Sequence, residues 1–423
     1  MKKSLSLLLA LVLCLSLCAC GGKEEAHTGA TSPDNYTAGP QENPSTEDIP
    51  TQPKQLQQNA DGLYELYNAQ DLVQYRDIVE KEMQEAYDAS GHKCSSASGA
   101  ILMADIDMSA VCNAQLESWR PIGYQAVKKS YGDLASGDMK GILFDGNNHT
   151  ISGLYISGGN NGALFYSLWE AEVRDLSFAE TNIQVDSGYA AVLTINMKDG
   201  LLQNVSLKNT VSVHMVGNTD DYHIIGGLVA SAREHNTGAT IENCKNYGTV
   251  TTAASGKCDI GGIVGTTNRI VKIYRCENHG QVSSSGTEDA IVGVKIGGIV
   301  GRADGESYYD GLIIGCVNYG TIQANDGYIG GIVGHNGSTV RYCVNMGTVQ
   351  ESGLSYGIGV NDGSMTNCLN AGLANPIEKT EGINIGANDS SITDGSLVSR
   401  LNSNAEGAFW TQGDSHPIWS GLE

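Results

Sequence analysis

Gly297-Gly-Ile-Val-Gly301, followed by Cys316-Val-Asn318-Tyr-Gly320-Thr-Ile322, is one copy of a phrase that residues 226–374 repeat five times. The other copies of its second half begin Cys244-Lys-Asn246, Cys276-Glu-Asn278, Cys343-Val-Asn345 and Cys368-Leu-Asn370. The first half recurs as Gly226-Gly-Leu-Val-Ala230, Gly261-Gly-Ile-Val-Gly265 and Gly330-Gly-Ile-Val-Gly334, and decays to Gly357-Ile-Gly-Val-Asn361. Short apolar runs divided by Gly and Asn, at a period of roughly 25–40 residues, are the mark of a solenoid. Each copy holds three such runs, so three strands and three corners make one coil, and one coil cannot bury its apolar residues alone. Coils therefore stack at about 4.8 Å.

Stacking places like on like. Cys244, Cys276, Cys316, Cys343 and Cys368 form an internal column, as do Ile241, Ile273, Ile313, Val340 and Met365, three places before them. Asn246, Asn278, Asn318, Asn345 and Asn370 form a corner ladder, since Asn tolerates left-handed backbone and its amide can bond to the coils on either side. The expected fold is all-β: a parallel, right-handed, three-sided β-helix of about eight coils, hence a rod near 40 Å long. A small N-terminal α/β cap and a short C-terminal cap close it.

Five domains follow. Residues 1–20 read as a lipoprotein signal: Lys2 and Lys3, the apolar Leu5–Leu17, then Leu17-Cys18-Ala19-Cys20, which resembles a lipobox. That resemblance implies lipid on Cys20 and an anchor on the extracytoplasmic face of a bacterial membrane. Residues 21–60 are a Pro-, Ser- and Glu-bearing linker unable to order itself, reaching about 35 Å as a coil. In 61–141, Leu72, Tyr75, Val79 and Met83 recur at helical spacing, predicting an amphipathic helix that covers an open strand edge. Residues 142–390 are the β-helix and 391–423 the C-terminal cap.

Composition narrows the partners. A formal charge of -22, with only 17% charged residues, argues against nucleic acid. No cofactor or metal is expected, and the chain reads as a monomer. Asp220-Asp221-Tyr222-His223 with His214 is the most metal-like cluster, and lacks a second element of fixed spacing. The column before the glycines reads Ile224, Asp259, Lys295, Tyr328 and Ser355, where Lys beside Asp suits a cross-strand ion pair. The five repeat cysteines follow the coil period, so they read as buried thiols or as disulfides between adjacent coils, with Cys94 and Cys112 free to pair outside the repeat.

The glycine step followed by Ile-x-x-Cys-x-Asn-x-Gly-x-Val resembles the GLUG motif of bacterial surface proteins and of the metalloproteases that cleave immunoglobulin A. Tyr64-Glu-Leu, Trp119-Arg-Pro-Ile-Gly123 and Phe144-Asp-Gly-Asn-Asn-His-Thr-Ile151 resemble the usual lead-in of such proteins. The resemblance implies a β-helical surface or adhesion module, and no His-Glu-x-x-His for protease zinc occurs in the sequence. Candidate ligand-binding residues are those of the long corners: Arg233, Glu234 and His235 in one, Asp304, Tyr308, Tyr309 and Asp310 in the other. Per-repeat insertions on one edge are where solenoids bind, and paired tyrosines beside acids suit a sugar or a host surface protein. The alternatives are a polysaccharide-active lyase or glycosidase, whose carboxylates (Asp304, Glu306, Asp310, Glu288, Asp289) and cations (Arg269, Arg302) are scattered here, and a spacer without ligand.

Overall fold

The structure, a computed structural model, describes residues 55–419 apart from 93, 125, 129–133, 218–220, 255–256, 287–292, 306–310, 351–353, 372–380, 385–393, 404–409 and 415–416. Cys20, the linker up to residue 54, and Tyr308, Tyr309 and Asp310 lie outside the described residues, as does the side chain of Cys94.

The chain is a parallel β-helix whose strands fall into four long sheets. One carries the cysteines (Thr240–Glu242, Lys245–Asn246), a second the Gly-x-Val strand (Thr249–Thr252), a third arrives at the glycine pair (Cys258–Gly261), and a fourth leaves it (Val264–Asn268). We call them the cysteine, valine, incoming and outgoing sheets. Three apolar runs per copy thus become strands in four sheets, because Gly-Gly-Ile-Val-Gly is a bend between two strands. An added Cβ on Gly262 would sit 2.6 Å from Asn278 Oδ1, and one on Gly298 2.6 Å from Asn318 Cγ. The glycine bend therefore seats directly against the asparagine of its own coil, and the two halves of the repeat depend on each other.

Neighbouring coils pair in parallel register. Ile241, Ile273, Ile313, Val340 and Met365 are successive partners, and so are Asn246, Asn278, Asn318, Asn345 and Asn370. Left-handed backbone lies not at these asparagines but at the residue before each cysteine: Asn243 (φ 54°), Arg275 (50°), Gly315 (64°), Tyr342 (53°) and Asn367 (52°). One left-handed residue turns the period-2 alternation into a step of three, which lets Ile241, Cys244 and Asn246 all face the core. In earlier coils the same device stands at Asp175 and Asn204. There the later cysteine and asparagine positions hold Leu176 and Phe178, then Val205 and Leu207. The core thus passes from large apolar side chains to thiol and amide.

At the N-terminal side, helix α1 (Ala69–Ser90) starts at Asn68, whose side chain accepts the Asp71 N–H, and stops at Gly91 (φ 71°). Its Leu72, Tyr75, Val79 and Met83 are buried in the same core as the coils, with Tyr75 6.1 Å from the Phe144 ring. Arg120 holds both carboxylate oxygens of Glu80 at 2.6 Å. Near the C-terminus, α2 (Ser396–Ser403) and the hairpin Trp410–Gln412/Pro417–Trp419 supply Leu397 and Trp410, which cluster with Val344, Leu369 and Ala371. Val344 and Leu369 continue an outward column that begins Lys245, Glu277 and Val317. The column turns apolar where this segment lies on the flank of the cysteine sheet.

Candidate functional site

The repeat's recurring asparagine and cysteine side chains are satisfied inside. Asn246 Nδ2 donates to Asn278 Oδ1 (2.9 Å), Asn278 to Asn318 (2.8 Å), Asn318 to Asn345 (2.8 Å) and Asn345 to Asn370 (2.9 Å), all buried. The cysteines are free, buried thiols that donate to backbone carbonyls, as Cys343 does to Arg341 (3.3 Å) and Ile313 (3.5 Å). Burial pushes the thiols of Cys276 and Cys343 well above their ordinary range. Cys112 is likewise a free buried thiol. Groups so enclosed are the scaffold, and ligand chemistry falls to the positions where copies differ.

The first such position is the long corner after Val229–Arg233. Asp199, itself left-handed (φ 52°) and buried, accepts the backbone N–H groups of His235, Asn236, Thr237 and Gly238 at 2.8–3.2 Å. Burial works to raise its pKa, but the four N–H donors outweigh it and hold the carboxyl below its ordinary range. The corner is thereby pinned. Arg233 Nε bonds Ser231 Oγ (2.8 Å), Glu234 pairs with Arg269 (2.9 Å), and His235 stacks on Trp169 at 4.5 Å and 10°. Lys140 Nζ also lies 4.6 Å from that indole ring. The three predicted residues are adjacent, yet each is aimed at a different partner.

The second is a seam where the incoming and outgoing sheets meet. Asp259 and Lys295 are register partners, with Nζ 3.8 Å from Oδ1. Arg302 Nη1 lies 4.0 Å from Asp259 Oδ2, its Nε bonds Asp304 Oδ1 (2.7 Å), and Tyr222 OH donates to Asp259 while accepting from Arg302 (3.1 Å). Asp259 is fully buried, and burial, only partly offset by Lys295, Tyr222 and Arg302, pushes it up to about 6. Burial likewise lowers Lys295. The seam continues through Tyr328, the register partner of Lys295, whose ring lies 5.3 Å from His335; His335 Nε2 bonds Asp362 (2.8 Å).

Asp304 thus joins Arg302 and Asp259, whereas Arg233, Glu234 and His235 belong to the other corner. His214 faces outward and bonds Thr251 (2.8 Å), while His223 is buried and accepts the Gly188 N–H, so the histidine cluster does not converge. Trp169 and Asp199 were not legible as site residues, and Tyr222 was legible only as part of the Asp-Asp-Tyr-His stretch, not as a partner of Asp259. For Asp199 the Asp-Gly turn 199–200 was the available signal, while Tyr222 and Trp169 act across coils and nothing in the sequence pointed to their partners.

A scan against protein-family models finds no match, and neither does a search of curated proteins. Among solved structures, the chain is similar to a crystal structure described as a "putative immunoglobulin A1 protease" from Bacteroides ovatus, with TM-score 0.51 and 18% identity over 86% of this chain and 94% of that one. It also aligns with an IgA1 protease at TM-score 0.44 and 12% identity, covering 84% of this chain and 24% of the other, so it spans about a quarter of that protein. At these identities what the chain shares with the first of them is its fold.

Proposed function

We propose that this chain is a surface interaction module: a β-helix of GLUG type, carried on the extracytoplasmic face of a bacterial membrane by lipid on Cys20 and held off it by the 21–60 linker. One observation carries the reading. The recurring asparagines are turned inward and bonded to one another and the recurring cysteines are buried beside them, so most of what solvent meets varies from coil to coil. A scaffold of constant core and variable exterior suits recognition of a glycan or a host surface protein. The test has two arms. A clickable fatty-acid label should mark the parent and not Cys20→Ser in a lipoprotein-processing host, and a glycan array with a host-protein panel should register binding by the folded chain. An unlabelled parent refutes the anchor, and silence on both panels favours a spacer.

The rival reading, a polysaccharide-active enzyme, is favoured by one observation: Asp259 sits near pKa 6, in the range of a general acid or base, beside Lys295, Arg302 and Tyr222. Release of reducing or unsaturated sugar by the parent, lost in Asp259→Asn, would replace the binding reading with catalysis.

A further inference from the structure

The valine sheet presents an outer face unlike the other three. Its six strands run in parallel register from Tyr155–Ser157 to Ile322–Ala324, and Val349 adds a bridge to Ile322. Along each strand the valine or isoleucine is buried and the residues on either side face out. One outward column is Ser157, Gln184, His214, Thr251, Ser283 and Gln323, joined partner to partner without a slip. The column on the other side of the buried residues begins at the half-buried Tyr155, and from Asn182 through Thr249 to Thr348 it holds only Asn, Ser, Thr and Gln.

Neither column contains an acid, a lysine or an arginine, on a chain of formal charge -22. The outer faces of two other sheets are charged, with Lys245 and Glu277 on the cysteine sheet and Arg233 and Arg302 on the outgoing, while the incoming sheet carries the buried pair Asp259 and Lys295. Among the described residues, the only hydrogen bond made by the side chains of these two columns within the chain joins His214 to Thr251. The face is therefore a grid of outward hydroxyls and amides at about 4.8 Å between coils and about 7 Å along each strand. The strands beneath are fully laddered, so a ligand would order little on binding.

We propose that the valine-sheet face docks a neutral, hydroxyl-rich polysaccharide lying along the coil axis. Three features commit the occupant. An uncharged face on an acidic molecule repels neither a neutral polymer nor its hydration layer, whereas a polyanion would feel the field of the whole chain. A grid of donors and acceptors matches a polymer whose every unit offers hydroxyls of both kinds. The step between coils is comparable to the advance per sugar of an extended β-linked glycan, so one coil can meet one unit. A protein partner with hot spots would call for exposed tryptophan or arginine anchors, and the two columns hold neither; Tyr155, the register partner of Asn182 at one end, is half-buried against the core.

This inference rests on the surface-module reading and deepens it, naming the ligand class and the face. The test is co-sedimentation of the full chain with insoluble β-glucan and β-mannan, with polygalacturonate as the acidic control, at about 0.05 M and 0.5 M salt. The parent should be retained on a neutral polymer equally at both salt levels. Ser283→Lys with Gln323→Lys should lower retention at least tenfold with an unchanged melting temperature, and Lys81→Ala with Glu85→Ala, exposed on α1, should leave it unchanged. Gln184→Lys, away from that pair, serves if the double variant melts early. No retention on any neutral polymer, retention only on polygalacturonate, or full retention by the lysine variants overturns the proposal. If the module binds a protein through the long corner while the lysine variants behave as the parent, the surface reading stands and this one falls.

Discussion

Replacing Asn318 by Ala tests whether the amide ladder ties the coils together. Asn318 sits mid-ladder: its Oδ1 accepts from Asn278 Nδ2 (2.8 Å) and Gly320 N (3.2 Å), and its Nδ2 donates to Asn345 Oδ1 (2.8 Å) and Gly320 O (3.1 Å). After truncation Asn278 Nδ2 keeps Gly280 O, and Gly320 N keeps Asn278 O. Asn345 Oδ1 and Gly320 O lose the donor, both within the buried core. A buried acceptor left unpaired costs about 1–3 kcal/mol, so the pair costs about 2–6 kcal/mol, with a further contribution from the void. Cys316→Ala, one strand residue away from the ladder, removes a sulfur whose contacts to Ile273 O (3.7 Å) and Ile314 O (3.6 Å) are long, and should cost about 1 kcal/mol. Urea titrations of both variants beside the parent give the two values as midpoint shifts at constant slope. Asn318→Asp adds a handle, since its carboxylate can accept from Asn278 but faces the Asn345 oxygen without a proton, so its stability should recover as pH falls and the acid becomes a donor. If Asn318→Ala costs no more than Cys316→Ala, or Asn318→Asp shows no recovery at low pH, the ladder does not bind the coils.

Other perturbations test the remaining geometry. Asp259 is raised from an ordinary value of 3.8 to about 6, so its neutral form fits the fold better; its contribution, roughly 3 kcal/mol, is full below about pH 4 and lost as pH rises through 6. Melting curves of Asp259→Asn against the parent across that window should show a difference that grows with pH, and parallel curves would refute the assignment. Asp199→Ala frees four backbone N–H groups and should speed thermolysin cleavage between Glu234 and Gly238, with unchanged proteolysis counting against the pinning role. Gly298→Ala, whose Cβ would meet Asn318 Cγ at 2.6 Å, should abolish cooperative folding, whereas Gly91→Ala, open but left-handed, should cost about 1 kcal/mol by denaturant titration.

Much of the scaffold was legible because a solenoid converts sequence period into spatial column. The spacing from Ile313 to Cys316 to Asn318 is constant, and register does the rest. What misled was local backbone. Asparagine was assigned the left-handed corner for its tolerance of positive φ, yet Arg275 and Tyr342 take that conformation instead. The reason is positional: the residue before the cysteine must absorb one extra step so that two inward columns can follow each other. The glycine pair, read as one strand, is a bend that only glycine can make, because the next coil's glycine carbonyl, and behind it Asn278 or Asn318, occupy the space a Cβ would need.

The candidate site was far less readable. Arg233, Glu234 and His235 are consecutive, but Arg269 and Trp169 decide where the last two point, and those partners stand on other coils. Asp259 and Lys295 could be paired from their column, while Tyr222 and Arg302, which complete the seam, come from elements with no shared spacing. By itself the sequence determined what period and polarity dictate: parallel coils, buried cysteine and asparagine columns, and where copies diverge. Tertiary structure alone decided which divergent residues meet, how far burial moves Asp259, and that the valine-sheet face is free of charge. Those properties depend on distances between coils and on exclusion of water, and neither is a function of position along the chain.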